Sequence, residues 1–182
     1  MIRYSLVAYL VVLVIMFGYA QEGWSKFEGH LSYYSWSQKT EGNNLGNVES
    51  YLSDYQIKLG YNGGSYFVGL VYDHFINEIG NSRPRISYGV SLGYRSVNWF
   101  FDFNYFPVST YEISSVTKLQ DGSGFGFDVG YRWFVSSSFF GGLQVSFRTL
   151  SYNKIAIGSS TSNATNKISQ EYHPALLLGV VF

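Results

Sequence analysis

The sequence predicts an all-β chain folded as an eight-stranded antiparallel up-and-down transmembrane β-barrel. Three observations lead there. Hydropathy alternates with a period of two along most of the chain, the signature of strands with two unlike faces. The charged residues of these strands all fall on one face. The connections between them alternate, long then short.

Composition narrows the classes further. Aromatic residues make up 20% of the 182 residues and charged ones only 13%, whereas an ordinary soluble domain is roughly a quarter charged. The formal charge is zero, so the basic footprint of a nucleic-acid binder is missing and no nucleic-acid partner is expected. There is no cysteine, which excludes disulfides, thiolate metal sites and a thiol nucleophile.

Met1 to Ala20 read as a cleavable secretory signal peptide. Arg3 supplies the positive start, Leu6–Phe17 an apolar run, and Gly18-Tyr19-Ala20 the small residues of a cleavage site. The run is shorter than the roughly 20 residues a spanning helix needs. The barrel is then assigned to residues 21–182, and no other segment is apolar enough to cross as a helix.

The eight strands follow in order, each with an uncharged outward set. The first carries Phe27, Gly29, Leu31 and Tyr33; the second Tyr51, Ser53, Tyr55, Ile57, Leu59 and Tyr61. The third carries Tyr66, Val68, Leu70 and Tyr72; the fourth Ile86, Tyr88, Val90, Leu92 and Tyr94. Next come Trp99, Phe101, Phe103 and Tyr105, then Phe125, Phe127, Val129, Tyr131 and Trp133. The last two carry Phe139, Gly141, Leu143, Val145 and Phe147, then Tyr172, Pro174, Leu176, Leu178, Val180 and Phe182.

The opposite phase holds Lys26, Glu28, Asp54, Lys58, Asp73, Arg95, Asp102, Asp128, Arg132, Arg148 and Glu171. A secreted soluble β-sandwich would need this face to be its surface. The same face also carries Gly60, Gly69, Gly89, Gly93, Gly126, Gly130, Gly142 and Gly179. Glycine weakens a solvated strand, but in a narrow lumen it makes room for a neighbour's arginine or ring.

Short turns are expected at Asn62–Ser65, Ser96–Asn98 and Val135–Ser138. Long polar loops are expected at Gln38–Ser50, Asn77–Arg85, Pro107–Ser123 and Ser151–Gln170, with Ser159–Asn166 a mobile, solvated tip. Eight strands with both termini periplasmic give three short turns and four external loops. Aromatic residues gather at both strand ends, as two girdles around an apolar band about 25 Å tall.

The final segment, Tyr172-His-Pro-Ala-Leu-Leu-Leu-Gly-Val-Val-Phe182, ends on an aromatic with apolar residues at alternate positions. It resembles the C-terminal signal of bacterial outer-membrane barrels. With the leader and the eight strands, the chain resembles small outer-membrane barrels of the OmpA/OmpX type without a periplasmic domain. The resemblance implies a place in the outer membrane of a Gram-negative cell and recognition of Phe182 by the barrel-assembly machinery. It also implies contact with outer-membrane lipid and lipopolysaccharide, and a monomeric barrel. It transfers no activity, because this barrel size hosts adhesins, anchors and enzymes.

An eight-stranded barrel is just wide enough for side chains to fill it. The lumen is expected to be a salt-bridged polar network of Asp54, Lys58, Asp73, Arg95, Asp102, Asp128, Arg132, Arg148 and Glu171. Apolar inward residues (Phe67, Val71, Phe100, Phe134, Phe140, Leu177, Val181) would plug mainly the periplasmic end. A two-residue Gly63-Gly64 turn would set Asp54 directly opposite Asp73. Such a pair needs a cation between the carboxylates, a protonated carboxyl, or a base such as Lys58 or Arg148 reaching across, and the last is expected, with a basic nitrogen within salt-bridge reach of one of the two.

The function expected is a structural or surface-interaction role. A small pore is the alternative, and a lipid A-modifying enzyme the second. For the last, His173 with Glu171 two residues away and Ser146 nearby is the best candidate group. It lacks the His-x-Ser arrangement of the deacylases it would resemble, since Pro174 and Ala175 follow. His74 reads as a girdle residue and His30 as low in the lumen. No catalytic residue, cofactor or metal site is assigned.

Overall fold

The structure is a computed structural model that describes residues 26–42, 46–79 and 82–182. The leader, Met1 to Ala20, lies outside the described residues. Alternating side chains build eight strands: β1 Lys26–Gly42, β2 Gly46–Asn62, β3 Tyr66–Ile79, β4 Ser82–Arg95, β5 Trp99–Glu112, β6 Thr117–Phe134, β7 Phe139–Ile157 and β8 Ser160–Val181. Each pairs antiparallel with the next, and β8 returns to β1, closing the barrel.

Polarity is inverted relative to a soluble sheet protein. The wall turns Leu70, Leu92, Leu143, Leu176 and Leu178 outward, where all are exposed. The lumen hides Lys58, Asp73, Arg85, Arg95, Asp102, Asp128 and Arg148 almost completely. Phe27, Tyr61, Tyr66, Tyr94, Trp99, Trp133 and Phe139 stand exposed around one rim; Tyr33, Tyr51, Tyr88, Tyr105, Phe125 and Tyr172 stand around the other. Phe182 stacks on Phe27 with centroids 6.3 Å apart.

The turns at the rim of the chain ends are short, as the Gly and Ser clusters require. Ser96 N–H donates to the Trp99 carbonyl at 2.8 Å and Val135 N–H to the Phe139 carbonyl at 2.8 Å. The β2–β3 turn is centred one residue later than expected, on Gly64-Ser65 rather than Gly63-Gly64. Gly63 N–H donates to the Tyr66 carbonyl at 2.9 Å, the Asn62 side chain accepts from Gly64 N–H at 2.8 Å, and Gly64 adopts φ +89°. The register becomes Asn62↔Phe67, so Asp54 faces Phe75 and Asp73 faces Gln56. The two aspartates are therefore not cross-strand partners.

The opposite end also departs from expectation. The four segments read as long loops are mostly strand, and the hairpins run on past the aromatic rim. β5 continues to Glu112, β6 begins at Thr117, β7 continues to Ile157 and β8 begins at Ser160. Ser160–Asn163 pair with Ile157–Lys154, so the Ser/Thr/Asn stretch is exposed strand. Beyond the lipid both faces are polar, which erases the period-two signal while the backbone ladder persists.

Apolar side chains seal the lumen at two levels, not one. Phe100, Phe140 and Leu177 cluster toward the chain ends, with Val181 packed against them. A second cluster of Val71, Phe106, Leu119, Leu150 and Tyr152 lies toward the long hairpins. Leu119 and Tyr152 sit in segments the sequence reads as loops. Phe134, expected inside, is partly exposed, although it still packs on Phe140.

Candidate functional site in the barrel lumen

Between the two apolar levels the inward phases of all eight strands converge. Glycines make the convergence possible. Gly60 of β2 faces Gly69 of β3, and a Cβ on either would meet the Phe67 ring at 2.8 and 2.7 Å. Gly93 lies beside the Asp102 carboxylate, where a Cβ would stand 2.0 Å from Oδ1.

The charges join into one chain along the lumen. At the lower end the Glu28 carboxylate accepts from Arg95 Nε at 2.9 Å, Arg132 Nη1 at 3.0 Å and the Asn62 amide at 2.5 Å. Arg95 then pairs with Asp102, and Asp102 with Lys58. Lys58 also reaches Asp128 at 2.6 Å, and Asp128 accepts from Arg148 Nη1 at 2.6 Å. Arg148 Nε reaches Asp73 at 3.3 Å, Asp73 accepts from Arg85 Nη2 at 2.9 Å, and Arg85 pairs with Glu171. Acid and base alternate throughout. Each charge removed from water therefore meets an opposite one, the condition under which burial is tolerable.

Lumen-facing aromatic rings cover the guanidinium faces. Arg95 lies 4.4 Å from the Phe67 centroid, Arg85 4.9 Å from Phe75, Arg132 5.4 Å from Phe140 and Arg148 5.8 Å from Phe106. The planar fork thus donates at its edge and stacks on its face. Gln144 Nε2 donates to Ser146 Oγ at 2.8 Å, filling the wall between charges.

The geometry places the expected residues as follows. Lys58, Asp73, Arg95, Asp102, Asp128, Arg132, Arg148 and Glu171 stand in the chain. Asp54 stands beside it, with Oδ2 2.9 Å from His173 Nδ1. Basic nitrogens from Arg85 and Arg148 reach Asp73. Two members were missed. Glu28 is on the inward phase but its height across the lumen depends on strand stagger, which one sequence does not supply. Arg85 falls at the end of the segment expected as the Asn77–Arg85 loop. Its phase with Ser87, Gly89, Ser91, Gly93 and Arg95 is the signal that would have found it.

The histidines divide by position. His30 is buried among Phe67, Phe100 and Phe140, with centroids 5.9, 6.0 and 6.5 Å away. His74 stacks outside on Tyr55 at 4.6 Å. His173 is sandwiched between Tyr34 at 5.3 Å and Phe75 at 5.4 Å. Ser146 is its cross-strand partner and Arg148 is that of Glu171. The group considered for catalysis is thus inside the barrel wall, with Glu171 committed to Arg85 and Asp54 in the place beside the imidazole.

A closed ring of strands, apolar outside and ion-paired inside, with aromatic rims, defines a transmembrane β-barrel of the outer-membrane type. No protein-family model matches the chain, and no curated protein matches it. Among solved structures it is similar to the crystal structure of Neisserial surface protein A (NspA), at 14% identity and TM-score 0.48, over 87% of this chain and 96% of that one. It is also similar to outer membrane protein AlkL, solved by solid-state NMR in DMPC bilayers, at 9% identity and TM-score 0.41, over 90% and 94% of the two chains. The likeness is one of strand arrangement, and no role is carried over from it.

Proposed function

We propose that this chain is an integral protein of a bacterial outer membrane whose closed barrel serves as a structural support for externally displayed hairpins. Its termini are periplasmic, and its work is done by contact with lipid, lipopolysaccharide or surface partners. The observation that carries the reading is the ion-pair chain from Glu28 to Glu171, buried between two apolar levels. Side chains occupy the width that a small solute would need, which favours a support over a pore. The internal position of His173 favours a structural imidazole over a lipid-modifying one.

Planar-bilayer recording of the refolded barrel tests this. No stable conductance steps are expected. Reproducible steps from a preparation that shows heat-modifiable gel migration would overturn the closed reading in favour of the pore.

A further inference from the structure

The ring closes unevenly. Pairing of β1 with β8 runs from Glu28↔Val181 to Tyr33↔Leu176 and stops. Two residues before Leu176 stands Pro174, which has no N–H to give to a ladder. Where the backbone bonds end, side chains take over. Tyr34 of β1 stacks on His173 of β8, with centroids 5.3 Å apart and planes 13° from parallel. Phe75 of β3 stacks on the same imidazole at 5.4 Å and 16°. Asp54 of β2 holds its edge, with Oδ2 2.9 Å from Nδ1. One buried imidazole thus ties β8 to the first three strands across the seam.

Charge balance singles out the same pair. The ion-pair chain from Glu28 to Glu171 is neutral in itself, because five bases meet five acids in it. The charges around His173 and Asp54 are Asp73 of β3, Arg85 of β4, Arg148 of β7 and Glu171 of β8, and all four are members of that chain. Tyr34 on β1 and Ser146 on β7, the cross-strand partner of His173, add no charge. Asp54 is outside the chain. Among the described residues it is the one buried carboxylate that no arginine or lysine reaches within salt-bridge distance, and its Oδ1 has no hydrogen-bond partner. A carboxylate so placed needs a counter-charge or a proton. The imidazole at its side can supply either.

We propose that His173 and Asp54 form a proton-operated clasp on the external half of the β1/β8 seam. With the imidazole protonated, it makes a charge-assisted bond to the carboxylate, and Tyr34 and Phe75 stack on a cation. With the imidazole neutral, the carboxylate is left buried without a paired charge and the stack loses its cation. The clasp is therefore closed at acid pH and loosens as the pH rises through the range in which imidazole gives up its proton. It lies beside Tyr33 and Tyr172 of the external rim, so it answers to the medium outside the cell. The proposal rests on the reading of the chain as a membrane-embedded barrel with periplasmic termini.

Because the chain contains no cysteine, spin labels go only where thiols are engineered. Nitroxides at Ser37→Cys and Tyr172→Cys report across the open part of the seam. Nitroxides at Thr149→Cys and Gln170→Cys report across a laddered pair of β7 and β8. In phosphatidylcholine vesicles the seam pair is expected to show strong dipolar broadening at about pH 5 and a loss of broadening at about pH 8, on either side of the imidazole titration. The β7–β8 pair is expected to give the same spectrum at both. His173→Gln and Asp54→Asn should each make the seam pair indifferent to pH. A seam pair unchanged by pH in the otherwise unmodified chain would overturn the proposal, as would a pH response that survives both substitutions. If one substitution prevents folding, the other decides. Loss of heat-modifiable migration in the unmodified chain would instead defeat the barrel reading itself.

Discussion

At the scale of the residue, Lys58 is the most exacting position. It is fully buried and serves both Asp102 and Asp128. Lys58→Met keeps the volume but leaves those carboxylates short of a cation, which costs about 3–5 kcal/mol when a buried pair is broken. Urea unfolding in lipid vesicles, followed by tryptophan fluorescence, should show a loss of that size; an unchanged midpoint would contradict it. Gly93→Ala acts by volume, because the new methyl would meet Asp102 Oδ1 at 2.0 Å and Arg95 Nη1 at 2.6 Å. Overpacking of this kind costs about 1–3 kcal/mol, read as a lower temperature for loss of the compact gel band. The sequence exposes why such residues are small or charged, since phase assigns them inward. It does not reveal which charge meets which. Asp54 shows the difficulty: a turn centred one residue later, on Gly64-Ser65, moves its partner from Asp73 to Phe75.

At the scale of the element, the strands were legible wherever they touch lipid. There the outward phase must be apolar, so Val129, Tyr131 and Trp133 announce β6 without ambiguity. The same strand's first turn of sequence, from Thr117, was not legible, because water on both sides imposes no alternation. Leu119 stands there alone among polar neighbours and still packs on Tyr152 and Leu150. The outermost part of the β7–β8 hairpin has a different status. It turns at Gly158 (φ +58°) and exposes Ser160–Asn163. Replacing residues 156–161 by an Asn-Gly turn should leave heat-modifiable migration intact and shift the unfolding midpoint little. Failure of that variant to reach the outer membrane would show that the tip takes part in assembly.

At the scale of the whole molecule, inverted polarity is the property the sequence conveys best, because it needs only the parity of each position. A soluble sandwich would have to bury the uncharged face and hydrate the glycine-rich one, and the closed ring does the opposite. The expected absence of conductance steps belongs to this scale too, since it would depend on both apolar levels and the charges between them acting together; reproducible steps would contradict it. The ion-pair chain also bears on how the barrel comes into being. Glu28 is on β1, Lys58 on β2, Asp73 on β3, Arg85 and Arg95 on β4, Asp102 on β5, Asp128 and Arg132 on β6, Arg148 on β7 and Glu171 on β8. Most of its links join strands that are not neighbours in the ring, such as Lys58 with Asp128 and Arg85 with Glu171. A growing sheet that has not yet met its own first strand cannot form them. The half-built sheet is an electrostatically frustrated species, and closure is the event that releases the frustration, so insertion should proceed as a single kinetic step with no stable open intermediate.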